Sequence, residues 1–181
     1  MTYINEIDGW MSPEDLTFLF ESAKRMSSIL EIGSWKGRST HALLSGCPGV
    51  VFAIDHFKGS RSPQAIGLAR EAARVDIHAQ FMRNVGHFQN LVVYRMKSLE
   101  AVSFFADNSI NMVFIDGEHL YEDVKADIHA WLPKTTELIC GHDYHTGSEW
   151  EYICGGVVRA VDEIFGPVNH ADLIWYKSLK I

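Results

Sequence analysis

Basic charge is scarce in this chain. Lys and Arg number 16 against 23 Asp and Glu, a formal net charge of −7, the wrong balance for tracking a phosphate backbone, so no nucleic-acid partner is expected. Long apolar runs are lacking as well. The longest, such as Val50-Val51-Phe52-Ala53-Ile54, are far too short to cross a bilayer, so no membrane partner is expected either. The N-terminus carries Glu6 and Asp8 where a signal peptide needs a basic region followed by an apolar stretch, which predicts no export. Cys47, Cys140 and Cys154 are odd in number and widely spaced. They read as free thiols in a reducing compartment, so a cytoplasmic protein is expected. No repeat, low-complexity tract or Pro/Gly/Ser linker divides the chain, and 181 residues suit a single domain spanning 1–181.

What is present is the composition of a soluble globular protein, 47% hydrophobic and 22% charged, which excludes disordered, collagen-like and coiled-coil chains. Histidine is abundant, with nine residues. His119, His142 and His145 fall near acids at the ends of apolar runs, whereas His41, His78, His87, His129 and His170 have nothing nearby that suggests chemistry.

The chain opens with a helix signal: Ser12 as N-cap, Pro13 at the first helical position, and Glu14 and Asp15 at the positive end of the dipole. Leu16, Leu19, Phe20 and Ala23 then follow at helical spacing. Short β-rich runs come next at Ser28–Ile32, Val50–Ile54, 91–96, 111–115 and 137–140. Between them lie helical segments at 38–45 (closed by Gly46), 63–85, 99–106 and Tyr121–Trp131. Leu120, Val124, Ile128, Trp131 and Leu132 line one side of the last. A helix at 156–165 and a strand at 173–178 complete the rhythm, with Trp175 and Tyr176 expected on that strand's core face. Continuously apolar strands alternating with helices predict an α/β, doubly wound, mostly parallel sheet with helices on both faces. Ligands bind such sheets beyond the C-terminal ends of the strands.

Four strand ends carry candidate chemistry. Glu31-Ile32-Gly33-Ser34-Trp35-Lys36-Gly37-Arg38-Ser39-Thr40 reads as a glycine turn into a helix N-terminus, where free N–H groups can meet an anionic group. Its Gly-x-x-x-Gly spacing is not the Gly-x-Gly-x-x-Gly of NAD sites. Asp55, 22 residues after Gly33, can accept both ribose hydroxyls of an adenosine. Asp116-Gly117-Glu118-His119 and His142-Asp143-Tyr144-His145 close two further strands. Carboxylates with an imidazole there suit Mg²⁺ if oxygens dominate, or a transition metal if the imidazole binds. Ser98 can cap the helix from Leu99 and lie near an adenine, Trp35 and Phe57 can flank a cofactor or pack, and Asp127 reads as a structural partner inside an amphipathic helix.

The run Ile29–Thr40, with Asp55 following, resembles the first motifs of class I S-adenosylmethionine-dependent methyltransferases. The Asp116-Gly117-x-His119-x-Tyr121 run and the His142-Asp143-Tyr144 end resemble a branch of small O-methyltransferases related to macrocin O-methyltransferase and cephalosporin-hydroxylase-like proteins. The similarity spans about residues 10 to 180 in order. It implies a Rossmann-like, seven-stranded sheet with the last strand antiparallel. S-adenosyl-L-methionine would then be bound by Glu31, Gly33, Ser34, Gly37, Ser39, Asp55, Ser98 and Asp116. It also implies Mg²⁺ on Asp116, His142 and Asp143, the family pair at the second position being commonly two acids or Asp then Asn. Relatives carry a lysine base where His119 stands. The expected reaction is methylation of a hydroxyl on a small acceptor, with Asp116 and Asp143 holding a cation and His119 or His145 as base. Small relatives pair through helices, so a homodimer is among the expectations.

Two other function classes compete. A metal-dependent hydrolase or oxygenase would use the His/Asp cluster without an adenosyl cofactor, and a non-catalytic module would bind cofactor or partner only. Segments 55–80, with Gly59, Ser60 and Ser62-Pro63, and 144–156, with Gly147, Trp150 and Gly155-Gly156, are the expected walls over the acceptor.

Overall fold

The computed structural model describes residues 7–62, 66–145 and 151–180, with the side chains of 151–154 excepted. Helix α1 (Pro13–Ala23) starts at a capping box in which Ser12 Oγ accepts from Asp15 N and the Asp15 carboxylate accepts from Ser12 N. Such a cap contributes about 1 kcal/mol. Strand β1 (Ser28–Ile32), helix α2 (Arg38–Gly46) and strand β2 (Val50–Ile54) follow within a residue of expectation.

The expected helix over 63–85 is two, α3 (Ile66–Ala72) and α4 (Ile77–Val85), separated where Asp76 caps the second by accepting from Ala79 N. Strand β3 stops at Tyr94 (Leu91–Tyr94), and α5 (Ser98–Ala101) runs into a 3₁₀ turn, Val102–Phe104. Then come β4 (Ile110–Ile115), α6 (Tyr121–Trp131), β5 (Thr135–Gly141), α7 (Glu151–Phe165) and β7 (Ile174–Ser178). A short strand that patterning missed, β6 (Asn169–Ala171), lies at the edge. Its three residues are too few to show alternation.

The sheet order is β3-β2-β1-β4-β5-β7-β6, parallel except for β7, which is antiparallel to both neighbours. The order reverses between β1 and β4, and the crevice of a doubly wound sheet opens at such a point. Side-chain alternation feeds two cores. Ile29, Met112, Phe114 and Cys140 face α1, α2 and α4. Leu30, Val113, Ile115 and Ile139 face α6 and α7. Trp175 is fully buried in the second core, and Tyr176 packs partly buried against the first. Cys47 and Cys140 are unpaired and buried. Among the described residues no helix is long and apolar enough to cross a membrane.

Gly155 and Gly156, expected in a loop wall, lie inside α7. A Cβ on Gly156 would sit 2.3 Å from the His119 carbonyl oxygen, so the missing side chain lets α7 close onto the β4–α6 loop. Gly147 and Trp150 lie outside the described residues.

The tightest backbone constraint is Gly33, at φ +86°, where a Cβ would lie 2.1 Å from the Asp116 carbonyl oxygen. Gly33→Ala is therefore expected to cost about 3 kcal/mol or more, lowering the thermal midpoint by about 10 °C. A variant melting within about 2 °C of wild type would show that the two turns do not bear on each other.

Candidate active site

The register of the parallel strands sets the site. Ile32 pairs with both Ile54 and Ile115, and Ile115 pairs with Gly141. The ladder then runs one residue further. Gly33 N donates to Ile54 O (2.9 Å), Asp116 N to Ile32 O (2.8 Å), His142 N to Ile115 O (3.1 Å) and Asp55 N to Tyr94 O (3.2 Å). Gly33, Asp55, Asp116 and His142 thus stand in one row along a cavity of about 1100 Å³ that all four line.

Glu31 lies beneath this row. Alternation turns it toward α2, where it is fully buried and accepts from Ser34 Oγ (2.7 Å), Ser39 Oγ (2.6 Å) and Thr40 Oγ1 (2.5 Å). Burial pushes its pKa up and the three hydroxyls work against that. Glu31 clamps the glycine turn to the start of α2, while Ser34 and Ser39 reach the cavity wall.

Gly37 and Phe57 pack against α4. Gly37 (φ +91°) is the N-cap of α2, and a Cβ there would meet Val85 and Phe81 of α4 at 3.1–3.2 Å. The missing side chain lets α4 close onto the start of α2. Phe57 is buried, with its ring 5.0 Å from that of His78 and 5.2 Å from that of Phe81.

The Asp55 carboxylate accepts from Trp35 N (2.8 Å) and Phe57 N (2.5 Å). Burial raises its pKa and these amides pull it back. Both amide donors belong to residues at positive φ, Trp35 at 46° and Phe57 at 57°, an uncommon conformation for bulky side chains. Asp55 thus holds two strained turns together. Each of its oxygens retains lone-pair capacity for a ligand hydroxyl.

The second half of the site centres on Asp143, itself at φ +62°. Its Oδ2 lies 2.9 Å from His119 Nε2, and its Oδ1 lies 3.5 Å from His142 Nδ1 and 3.8 Å from His145 Nε2. Burial works against its charge, yet the hydrogen bonds from the three histidines hold its pKa well below the usual carboxylate range. Asp116 Oδ1 stands 3.8 Å from His142 Nδ1. Burial pushes Asp116 up to about 7, the charges of His142 and His119 lowering it and that of Asp143 raising it. One ligand atom each from Asp116, His142 and Asp143 lies within 4.8 Å of the others.

His142 is anchored from behind by a residue that sequence alone assigned only to a helix end. Asp15 Oδ2 lies 3.1 Å from His142 Nε2, and Asp15 Oδ1 accepts from Leu173 N. His142 follows Leu138 and Cys140 on the face of β5 turned to α1, which is why a carboxylate from α1 reaches it. Nothing in the local pattern at Asp15 signals this. His119 Nδ1 is buried and, among the described residues, has no hydrogen-bond partner.

At the other end Ser98 and Asp127 line the cavity. Lys97, not Ser98, is the N-cap of α5; Ser98 Oγ accepts from Trp131 Nε1 (2.7 Å). His56 and Glu118, unremarked in the sequence, also line the wall. Glu118 pins the segment after β2, accepting from Ser60 Oγ (2.7 Å) and Arg61 N (2.9 Å), while Arg61 reaches Asp123 at 2.9 Å. Gly59 to Ser62, expected as an entry loop, is therefore strapped to the β4–α6 loop. Pro63 lies outside the described residues.

Residues 30–144 match the family described as a methyltransferase domain. An alignment 125 positions long, covering 58% of this chain, is 30% identical to an uncharacterized protein, y4gI, of Sinorhizobium fredii, and spans 14% of that protein's length. Among solved structures, the O-methyltransferase NovP superposes with a TM-score of 0.69 at 14% identity, covering 93% of this chain and 80% of its own. The O-methyltransferase of Bacillus cereus, in complex with SAH, gives 0.60 at 18% identity over 97% and 84%. The SAH-bound methyltransferase PaMTH1 of Podospora anserina gives 0.61 at 13% over 92% and 78%. At these identities the structures establish a shared fold. The family match sets aside the hydrolase and oxygenase expectation.

Two outcomes follow from the site's charges. Burial pushes Asp127 up to about 6, Ser98's hydroxyl pulling down and Asp123 and Glu118 adding to the rise. A carboxylate raised in the folded state binds protons that the unfolded chain has released, so its contribution is complete below about pH 4 and is lost as pH rises through about 6. Asp127→Asn should gain stability over wild type between about pH 4.5 and pH 7.5, by at most about 3 kcal/mol, as read by urea denaturation. A difference that does not change with pH would contradict the shift. Glu118→Gln should speed tryptic cleavage after Arg61 by severalfold, and an unchanged rate would mean that the strap does not depend on the carboxylate.

Proposed function

Because the chain belongs to the methyltransferase domain family, we propose that it moves a methyl group from S-adenosylmethionine to a hydroxyl oxygen of a small acceptor. The observation that carries this reading is His119, a residue of the cavity wall with one ring nitrogen 2.9 Å from Asp143 and the other buried without a partner among the described residues. S-adenosylmethionine supplies an electrophilic carbon on a sulfonium sulfur that leaves with the electron pair. Asp55 receives the ribose hydroxyls on oxygens already oriented by backbone amides. The row of acids at Asp55, Asp116 and Asp143 favours a cationic ligand over a neutral one.

With Asp143 accepting from Nε2–H, His119 keeps a lone pair on Nδ1. That nitrogen takes the acceptor's hydroxyl proton as the new C–O bond forms, and Asp143 stabilises the imidazolium that results. Positioning supplies much of the remaining acceleration. His145 stands on the opposite oxygen of Asp143 and serves to orient that carboxylate.

The donor set also fits a divalent cation. Burial works against the His142 charge, yet hydrogen bonds to Asp143 and Asp15 and the charge of Asp116 push its pKa up to about 11; a cation would displace the Nδ1 proton, and with Asp15 accepting from Nε2–H the imidazole would then turn Nδ1 toward Asp116 and Asp143, the arrangement in which a carboxylate orients a ligating imidazole. Asp143 offers Oδ1 to that side while Oδ2 serves His119, so the two roles do not compete. An imidazole with two carboxylates favours Mn²⁺, Fe²⁺ or Zn²⁺ over Mg²⁺. A cation there would lower the pKa of the acceptor hydroxyl. Buried, unpaired Cys47 and Cys140 are consistent with a reducing, cytoplasmic location.

Isothermal titration with S-adenosylhomocysteine should give saturable binding, weakened about tenfold or more by Asp55→Asn. No binding to wild type would overturn the reading. Titration with Mn²⁺ should give a one-site isotherm that Asp116→Asn removes, and an unchanged isotherm would remove the metal. Against a panel of hydroxylated acceptors, His119→Gln should lower turnover about 100-fold and leave S-adenosylhomocysteine affinity intact.

A further inference from the structure

We propose that Tyr144, through the hydrogen bond of its hydroxyl to Asp162 of α7, is the positioning residue that holds Asp143 against His119, an inference that rests on the base assigned above. The alternation of β5 shows that such a residue is needed. Leu138, Cys140 and His142 lie on the face turned to α1, and Ile139 faces α6 and α7. A strand that simply continued would return Tyr144 to the α1 side. Tyr144 is instead buried in the opposite core, the one that holds Ile139 and Trp175. The break falls at Asp143, whose φ of +62° reverses the course of the chain. Aspartate tolerates that region better than most residues, yet it stays there only where neighbouring contacts enforce it.

Tyr144 carries those contacts. Its amide donates to Leu173 O at 3.0 Å, it is only 9% exposed, and its hydroxyl donates to Asp162 Oδ1 at 2.6 Å. On the other flank His142 N donates to Ile115 O at 3.1 Å, and Asp15 holds the His142 ring. Asp143 is thus strung between two anchors on opposite faces of the sheet. With both fixed, its carboxylate is left at the cavity wall, where Oδ2 meets His119 Nε2 at 2.9 Å.

The same helix seats the other member of the pair. Gly156 of α7 lies against the backbone of His119, where a Cβ would come within 2.3 Å of the carbonyl oxygen. Gly156 and Asp162 stand on one helix, about 9 Å apart along its axis. Helix α7 therefore carries the backbone of His119 at one point and, through Tyr144, that of Asp143 at another. A rigid mount of this kind fixes the separation between a base and the carboxylate that orients it. A misplacement of about 1 Å is enough to spoil such a pair. Asp162 itself is exposed, so it can be changed without opening the core.

The test reads the His119–Asp143 bond by NMR in protein carrying isotope-labelled histidine. The imidazole N–H resonance that His119→Gln removes identifies that bond in wild type, and its absence there overturns the proposal. Tyr144→Phe and Asp162→Ala should each shift the resonance and speed its exchange with water about tenfold or more. The double variant should do no more than either alone. Asp162→Asn, whose amide oxygen still accepts from the hydroxyl, should keep the wild-type spectrum. Affinity for S-adenosylhomocysteine should stay within about twofold throughout. A resonance unmoved by Asp162→Ala overturns the proposal, as does an Asp162→Asn spectrum like that of Asp162→Ala. The Asp162 variants decide the matter even if Tyr144→Phe does not fold. A loss of S-adenosylhomocysteine affinity in step with the spectral change also overturns it, because a general loosening of the fold would then explain both. Wild type that shows the resonance but binds no S-adenosylhomocysteine loses the methyl-transfer reading, while the spectra still decide whether Tyr144 holds Asp143.

Discussion

Everything at the site depends on four parallel strands ending level. With Ile32, Ile54, Ile115 and Gly141 in register, the next residue of each chain falls on a single line. A one-residue slip would turn Asp116 and His142 to opposite faces of the sheet, because side chains alternate. Gly33 carries the tightest part of this arrangement, since the first turn passes so close to the Asp116 carbonyl that no Cβ fits between them. The turn near the cofactor end and the turn bearing the acid cluster are one packed unit, so a change in either is felt in the other.

Charge is the second constraint. Glu31, Asp55, Asp116, Asp127 and Asp143 are drawn together around the strand ends, and burial opposes ionisation of each of them. They differ in what compensates. Glu31 has three hydroxyls, Asp55 has backbone amides, Asp143 has three histidines, and Asp127 has one serine. The gradient separates structure from chemistry. Hydroxyls alone clamp Glu31 into the fold, whereas histidines and backbone amides leave Asp143 and Asp55 lone-pair capacity on the cavity side.

Asp15 shows how a local device acquires a distant task. It closes the capping box of α1 through its carboxylate, and the same group holds His142 and the amide of Leu173. The helix end, the tip of β5 and the start of β7 are thereby tied at one point behind the acid cluster. Glu118 does similar work elsewhere in the cavity wall, strapping the segment after β2 to the β4–α6 loop.

Much of this was legible from the chain itself. Continuous apolar runs of strand length, broken by amphipathic segments, specify an α/β sheet because each pattern can bury its surface in only one way. Gly33, Asp55, Asp116, His119, His142 and Asp143 stood out because each follows such a run, and strand ends are where doubly wound sheets place ligands. What the pattern could not hold was distance. Gly37 read as a ligand-facing glycine, and its missing side chain also admits α4. Asp127 read as a structural helix acid, and it also lines the cavity beside Gly117, ten residues earlier. Asp15 lies 127 residues from the histidine it orients. The sequence by itself determined the sheet, its two cores and the row of strand-end groups, since these follow from period and position along one strand or helix. Only the tertiary structure decided which acid meets which histidine and that His119 keeps one ring nitrogen without a partner among the described residues, because those depend on elements far apart in the chain arriving at the same few ångströms.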